Sequence, residues 1–375
     1  MRSLARLPKA HLHLHLEGAM RPATLTELAG EDGRHQSTLG GFTSFEDFTS
    51  LFRVAARLVR EGPRENLLRL VREVVEDAAA DGAVWIEPHF NPLTYVDDPA
   101  AALDLLDVVI DEGRRTADRL GIGFGVVMFA RRNADPSEAV EAARLAARRA
   151  DNGVVAFGLA GDEAHFPAEP FAEAFAIARA AGLISAPHAG ELAGPASVRA
   201  ALDVLSARRI AHGVRAVEDP ALVARLAAEG VVLDVCPTSN IALGVVKSLS
   251  VHPLPLLLQA GVRCTLNADD PLLFGAGLLQ EYETARTALA LTDPQLADVA
   301  RISVESSGAP RAIVEDAVTL IGDWLGTPDQ AAHSPNPRRI VTAAPVLSPR
   351  RGHPGTDATS SPAPSTSMQK WNHAG

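Results

Sequence analysis

The chain is short of cysteine, lysine and tyrosine. Cys236 and Cys264 are its only thiols in 375 residues, and they form neither a C-x-x-C pair nor the multiple bridges that staple small secreted domains. Lys9, Lys247 and Lys370 are its only ammonium side chains, so a two-metal centre bridged by a carboxylated lysine is disfavoured. No apolar run is long enough to cross a bilayer, and the stretch before the first strand lacks the apolar core of a secretory leader. Positive charge is scarce too. The formal net charge is −11, and five basic residues after Gln330 face Asp357 alone, which leaves about −15 on residues 1–330. So acidic a body, with no basic stripe interleaved with aromatics, excludes nucleic acid and anionic membrane as expected partners. The expectation is a cytoplasmic protein that acts on a small molecule.

What is present begins with PKAHLHLHLEGA, residues 8–19. His11, His13 and His15 alternate with Leu12, Leu14 and Leu16, so in a strand the imidazoles share one face and the leucines the other. An exposed hairpin with a histidine face is the plain reading. Several imidazoles aimed at one interior, close to Glu17 and Gly18, are better satisfied by a divalent metal.

Downstream, strand-like and helical runs alternate. The strand-like runs are AVWIEPHF, GIGFGVVMFA, VVAFGLAGDE, LISAPHAGE, RIAHG, VVLDVCPTSN and VRCTLNADDP. With the opening strand they make eight, which predicts an α/β fold, a parallel (β/α)8 TIM-type barrel, over residues 1–329. The long segment between the first two strands exceeds one crossover helix, so extra helices are expected there, some folding over an end of the sheet. Phe42, Phe45, Phe48 and Phe52 recur within it at roughly helical spacing, which reads as core packing, with a substrate-facing cover as the alternative. Residues 330–375 hold seven prolines among Ser, Thr and Ala and read as a disordered tail.

Polar residues gather where the strands end. These are His13, His15, the stretch Gly161 to Glu163, His188, Glu191, His212, Asp269 and Asp270. A closed barrel would bring them to one mouth, where three neutral nitrogens and a carboxylate suit zinc with room for a water. Glu191 could then serve as acid, His212 as base or orienter and Asp270 as a second carboxylate, a set with the chemistry of hydrolysis.

In order and spacing, PKAHLHLHLEGA, VVAFGLAGDE, PHAGE, RIAHG and LNADDP resemble the adenosine deaminase family of the amidohydrolase superfamily, over about residues 7–325. The resemblance implies a barrel with one catalytic zinc that replaces the 6-amino group of a purine by oxygen and releases ammonia. It makes His13, His15, His188 and Asp269 the zinc ligands. Glu191 would protonate purine N1, His212 would orient the attacking hydroxide, Asp270 would bond N7, and the Gly161 backbone N–H would face N3. Glu17 and His15 complete the implied substrate contacts.

Two departures bear on the substrate. Adenosine-acting members usually carry Asp where this chain has Glu17, whereas adenine-acting relatives often carry Glu. Gly158 replaces an acidic residue of the DLAGDE pattern that ligates no metal. The expected reaction is deamination of adenosine or 2′-deoxyadenosine, with free adenine or another 6-aminopurine as the alternative. A silent nucleoside-binding barrel is the rival from another class, and the presence of both Glu191 and His212 speaks against it.

Overall fold

The computed structural model describes residues 1–30 and 44–326. Phe42 and the 330–375 tail lie outside the described residues. Among the described residues ten strand segments form the barrel wall: β1 (Lys9–His15), β2 (Ala83–His89), β3 (Gly123–Phe124), β4 (Val126–Arg131), β5 (Val154–Ala160), β6 (Ile184–Ser185), β7 (His188–Ala189), β8 (Arg209–His212), β9 (Val232–Val235) and β10 (Arg263–Leu266). Two staves are each broken into a pair, β3 with β4 and β6 with β7, so the ten segments make the eight staves that the sequence predicts.

All pairings between these strands are parallel, running β1-β2-β4-β5-β6 in one arc and β7-β8-β9-β10 in the other. The ring closes just beyond β10. Leu14 bridges Asp269, with His15 N donating to Asp269 O at 2.9 Å and Asp269 N to His13 O at 3.1 Å. Wall strands are buried on both faces, as parallel strands under helices must be, and this is why β5 reads VVAFGLA without polar alternation.

Helices start where the sequence places an acceptor before proline. Asp98, Asp135 and Asp219 each accept a backbone N–H of the helix that Pro99, Pro136 and Pro220 open. The side chain satisfies an otherwise orphaned donor, and the ring presets φ. Between β1 and β2 the described residues hold helices Pro22–Ala29, Phe45–Arg60 and Arg64–Ala80.

Phe45–Arg60 packs over the turn Glu17–Ala19 at the barrel mouth. Phe48 is buried and stacks on Phe274 at 5.4 Å, while Phe52 meets the His15 ring edge-on at 6.2 Å. Phe48 thus follows the packing reading, and Phe52 faces the mouth as the cover reading anticipates.

Within the barrel lies a buried ion cluster. Arg209 pairs with Glu87 at 2.7 Å and Asp234 at 3.0 Å, and Trp85, Gly308 and Thr265 donate to the two carboxylates. Among the described residues no helix is long and apolar enough to cross a membrane.

Candidate active site

The β1 face set by sequence period puts His13 and His15 at the mouth, where β7 contributes His188 and the turn after β10 contributes Asp269. His13 Nε2 lies 3.1 Å from His188 Nε2 and 3.2 Å from Asp269 Oδ1; His15 Nε2 lies 3.3 and 3.4 Å from the same two atoms. All four ligand atoms fall within 4.8 Å of one another.

Three imidazole nitrogens and a carboxylate oxygen at this spacing form a donor set that could share one cation. Tetrahedral zinc with bonds of about 2.0–2.1 Å separates its ligands by roughly 3.3–3.4 Å, the spacing found here. The next shell aims the donors outward from the backbone. His13 Nδ1 sits 3.3 Å from the Asp234 carbonyl, which can only accept, so the proton is on Nδ1 and the Nε2 lone pair faces the cluster. Ser239 Oγ donates to Asp269 Oδ2 at 2.6 Å and leaves Oδ1 to the histidines.

Glu191, His212 and Asp270 surround this cluster. His212 Nε2 is 3.4 Å from Glu191 Oε1 and 3.8 Å from Asp269 Oδ2. Burial, followed by the carboxylates of Asp269 and Glu163, pushes the Glu191 carboxyl well above the usual range, and burial followed by Asp269 does the same to Asp270. A carboxyl held protonated near neutral pH is a hydrogen-bond donor and a proton source.

Asp270 Oδ1 is buried without a partner, and it occupies the space beside Gly18: a Cβ there would sit 1.6 Å from it. His212 and Asp269 both hold left-handed backbone, with φ of 66° and 60°, a conformation uncommon for side-chain-bearing residues and concentrated at functional sites. Glu17 is buried, with Oε1 accepting from the Tyr95 hydroxyl at 2.6 Å. Gly161, with φ of 110°, stands exposed at the end of β5.

Sequence reasoning missed several neighbours, and it placed Glu163 at a strand end without giving it a role. His89 ends β2, is buried, and lays its ring parallel to His13 at 5.3 Å; its place at a strand end was the available signal. Glu163 accepts four backbone N–H groups of residues 190–193. Arg132 donates to the His188 carbonyl at 2.7 Å. Tyr95 carried no pattern of its own, and Asn240 and His252 lie in CPTSNIALGVVKSLSVHP, a stretch that resembles the CP-x-SN pattern of adenine-acting relatives without naming a role for either.

A sequence model of the adenosine deaminase family matches residues 8–319. The chain belongs to the adenosine deaminase family. This deaminase is 44% identical over 339 residues to a Streptomyces coelicolor relative provisionally named adenosine/adenine deaminase, covering 87% of this chain and 98% of that one. It is 37% identical to the aminodeoxyfutalosine deaminase of Acidothermus cellulolyticus, covering 76% and 83%. The crystal structure of adenine deaminase from Arthrobacter aurescens superposes with a TM-score of 0.79 at 29% identity, covering 85% and 99%. The deaminase is accordingly a hydrolase of C–N bonds on adenine- or adenosine-like purines, in a family that depends on metal.

Proposed function

We propose that the deaminase holds one zinc ion per chain on His13, His15, His188 and Asp269 and converts adenosine or 2′-deoxyadenosine to the corresponding inosine and ammonia. The observation that carries this reading is the close approach of three Nε2 atoms and Asp269 Oδ1 beside Glu191, whose carboxyl burial pushes well above its usual range. Bound there, zinc supplies the Lewis acidity that makes a water nucleophilic near neutral pH.

The remaining steps belong to the protein's own groups. Glu191 donates its proton to purine N1, which draws electron density from C6 and opens that carbon to attack. His212 holds the attacking oxygen on line. Water's oxygen stays on C6; one of its protons leaves with the amino group as ammonia and the other restores Glu191, so the balance is one water in and one ammonia out. Asp270, whose carboxyl burial pushes well above its usual range, donates to N7, which can only accept. Gly161 presents backbone to N3 without a side chain in the way. Glu17 and His15 meet the rest of the substrate. A role in cytoplasmic purine salvage follows from this reading.

One observation favours free adenine as a second reading. The Tyr95 hydroxyl fixes Glu17 through Oε1, and the other oxygen can accept from a lone donor such as adenine N9–H. The test is parallel incubation of zinc-loaded protein with adenosine, 2′-deoxyadenosine, adenine and larger 6-aminopurine nucleosides, following ultraviolet absorbance and ammonia. Turnover of adenosine and its deoxy form supports the first reading; turnover of adenine alone moves the assignment to the base; turnover of larger nucleosides alone overturns both. Glu191→Gln should lower kcat about 10²–10⁴-fold with zinc retained, and His13→Ala should lose the zinc as well, measured by metal analysis after dialysis.

A further inference from the structure

The stretch CPTSNIALGVVKSLSVHP follows β9, and two of its polar residues point back into the barrel wall. Asn240, on the helix Pro237–Ala242, is fully buried, and His252 is 4% exposed. They form a chain of hydrogen bonds that ends on His212. Leu254 N lies 3.2 Å from His252 Nδ1, His252 Nε2 lies 3.2 Å from Asn240 Oδ1, and Asn240 Nδ2 lies 3.2 Å from His212 Nδ1.

The direction of every bond follows from its first member. A backbone N–H can only donate, so His252 Nδ1 carries a lone pair; burial lowers the pKa of this imidazole to about 4, which keeps it neutral. Its single proton is then on Nε2 and is given to Asn240 Oδ1. The amide's NH2 must face His212 Nδ1, which accepts. The one proton of a neutral His212 is left on Nε2, pointing at the space between Glu191 Oε1 and Asp269 Oδ2. The opposite arrangement would require Asn240 to flip and His252 to change tautomer. Two N–H groups would then face each other at Leu254, whose backbone donor cannot turn away.

We propose that Asn240 and His252 are positioning residues that fix the tautomer of His212, so that it offers an Nε2–H and not a lone pair to the reacting centre. For the deamination read above, His212 then acts as a hydrogen-bond donor that holds the attacking oxygen through its lone pairs and steadies the negative charge that grows on it. It is not the group that removes a proton from water. Both residues lie behind His212, on the Nδ1 side away from Glu191, which separates their role from that of Glu191.

The test uses full-length, zinc-loaded protein with 15N-labelled histidine. Two-bond nitrogen–proton correlation of the imidazoles reports the tautomer directly, with His212→Gln and His252→Gln used to assign the two rings. The expected result is Nε2–H with bare Nδ1 for both. Asn240→Asp replaces the donor facing His212 by an acceptor while leaving an oxygen for His252; it should move the His212 proton to Nδ1. On a substrate that the wild type turns over, it should also lower kcat about 10³–10⁴-fold, the scale of a wrong catalytic tautomer, with KM and zinc content little changed.

His252→Phe keeps bulk but removes the donor and should cost roughly ten- to a hundredfold, whereas His252→Gln, whose amide can still donate to Asn240, should restore most of that loss. A protonated His212 Nδ1 in the wild type overturns the proposal, as does an Asn240→Asp protein that keeps its zinc and full kcat. If the wild type turns over none of the purines, the functional reading fails, and the spectra still decide the tautomer. If Asn240→Asp does not fold, the wild-type spectra and the His252 pair decide it.

Discussion

Replacing Glu163 by glutamine tests how Glu191 is held in place. The Glu163 carboxylate is 4% exposed; its Oε1 accepts from Gly190 N at 2.5 Å, and its Oε2 accepts from Glu191 N, Leu192 N and Ala193 N at 3.0, 2.8 and 3.1 Å. Four backbone donors thus converge on one side chain, and the loop they belong to carries Glu191.

In the best orientation, the introduced glutamine puts its amide oxygen where Oε2 was and keeps three of the bonds. These fall from charge-assisted to neutral strength, losing about 1 kcal/mol each. The fourth donor, Gly190 N–H, then faces the NH2 group and is left unsatisfied, at about 1–3 kcal/mol. The expected destabilisation is roughly 4–6 kcal/mol, a large fraction of the ~5–15 kcal/mol that holds a typical protein folded. If the loop relaxes locally, part of that cost becomes displacement of Glu191, and a shift near 1 Å lowers kcat on the order of a hundredfold. Urea unfolding followed by tryptophan fluorescence, with kcat measured on the best substrate, reads both. A destabilisation under about 1 kcal/mol together with unchanged kcat would refute the tether, because one stranded buried donor and three weakened bonds cannot cost so little.

Glu281 makes stability depend on pH. Burial raises its pKa from 4.5 to about 8, outweighing the Thr238 N–H that it accepts, so the folded state binds the extra proton between those values. Stability from this group is fully present below about pH 4.5 and is lost as pH rises through 8, by at most roughly 5 kcal/mol. Glu281→Gln should therefore match the wild type at pH 5 and exceed it at pH 9 in urea unfolding; a gap that does not widen with pH counts against this. Arg209→Met strands Glu87 and Asp234 in the barrel and should destabilise by about 3–5 kcal/mol, despite the hydrogen bonds those carboxylates retain, again by urea unfolding. Gly18→Ala must displace Asp270, since the new Cβ would fall 1.6 Å from Oδ1. With Asp270 bonding the substrate as proposed, loss of that hydrogen bond predicts a ten- to hundredfold drop in kcat/KM, while zinc content measured on the same preparation stays at the wild-type level.

Much of the fold was readable from local pattern. The period of two in HLHLHL determined which residues of β1 share a face, and Asp-Pro pairs marked the starts of several helices. The count of strand-like runs and the polar residues at their ends indicated a barrel with its chemistry at one mouth. These signals survive in a single sequence because they depend on a residue and its near neighbours, through backbone geometry and capping.

Tertiary structure decided which atoms meet. His13 and His188 are 175 positions apart and come within 3.1 Å only because the ring closes through Leu14 and Asp269. The sequence marked Phe48 and Phe52 as alike, yet one packs on Phe274 and the other reaches His15. Glu163 stood out only as a polar residue at a strand end, and Asn240 and His252 only as part of a patterned stretch; none showed its partner, since a hydrogen bond takes its meaning from the partner opposite and nothing in the neighbouring residues names that partner. Composition and period therefore determined the elements and their faces, while barrel closure, through the register between distant strands, determined the distances on which the chemistry rests.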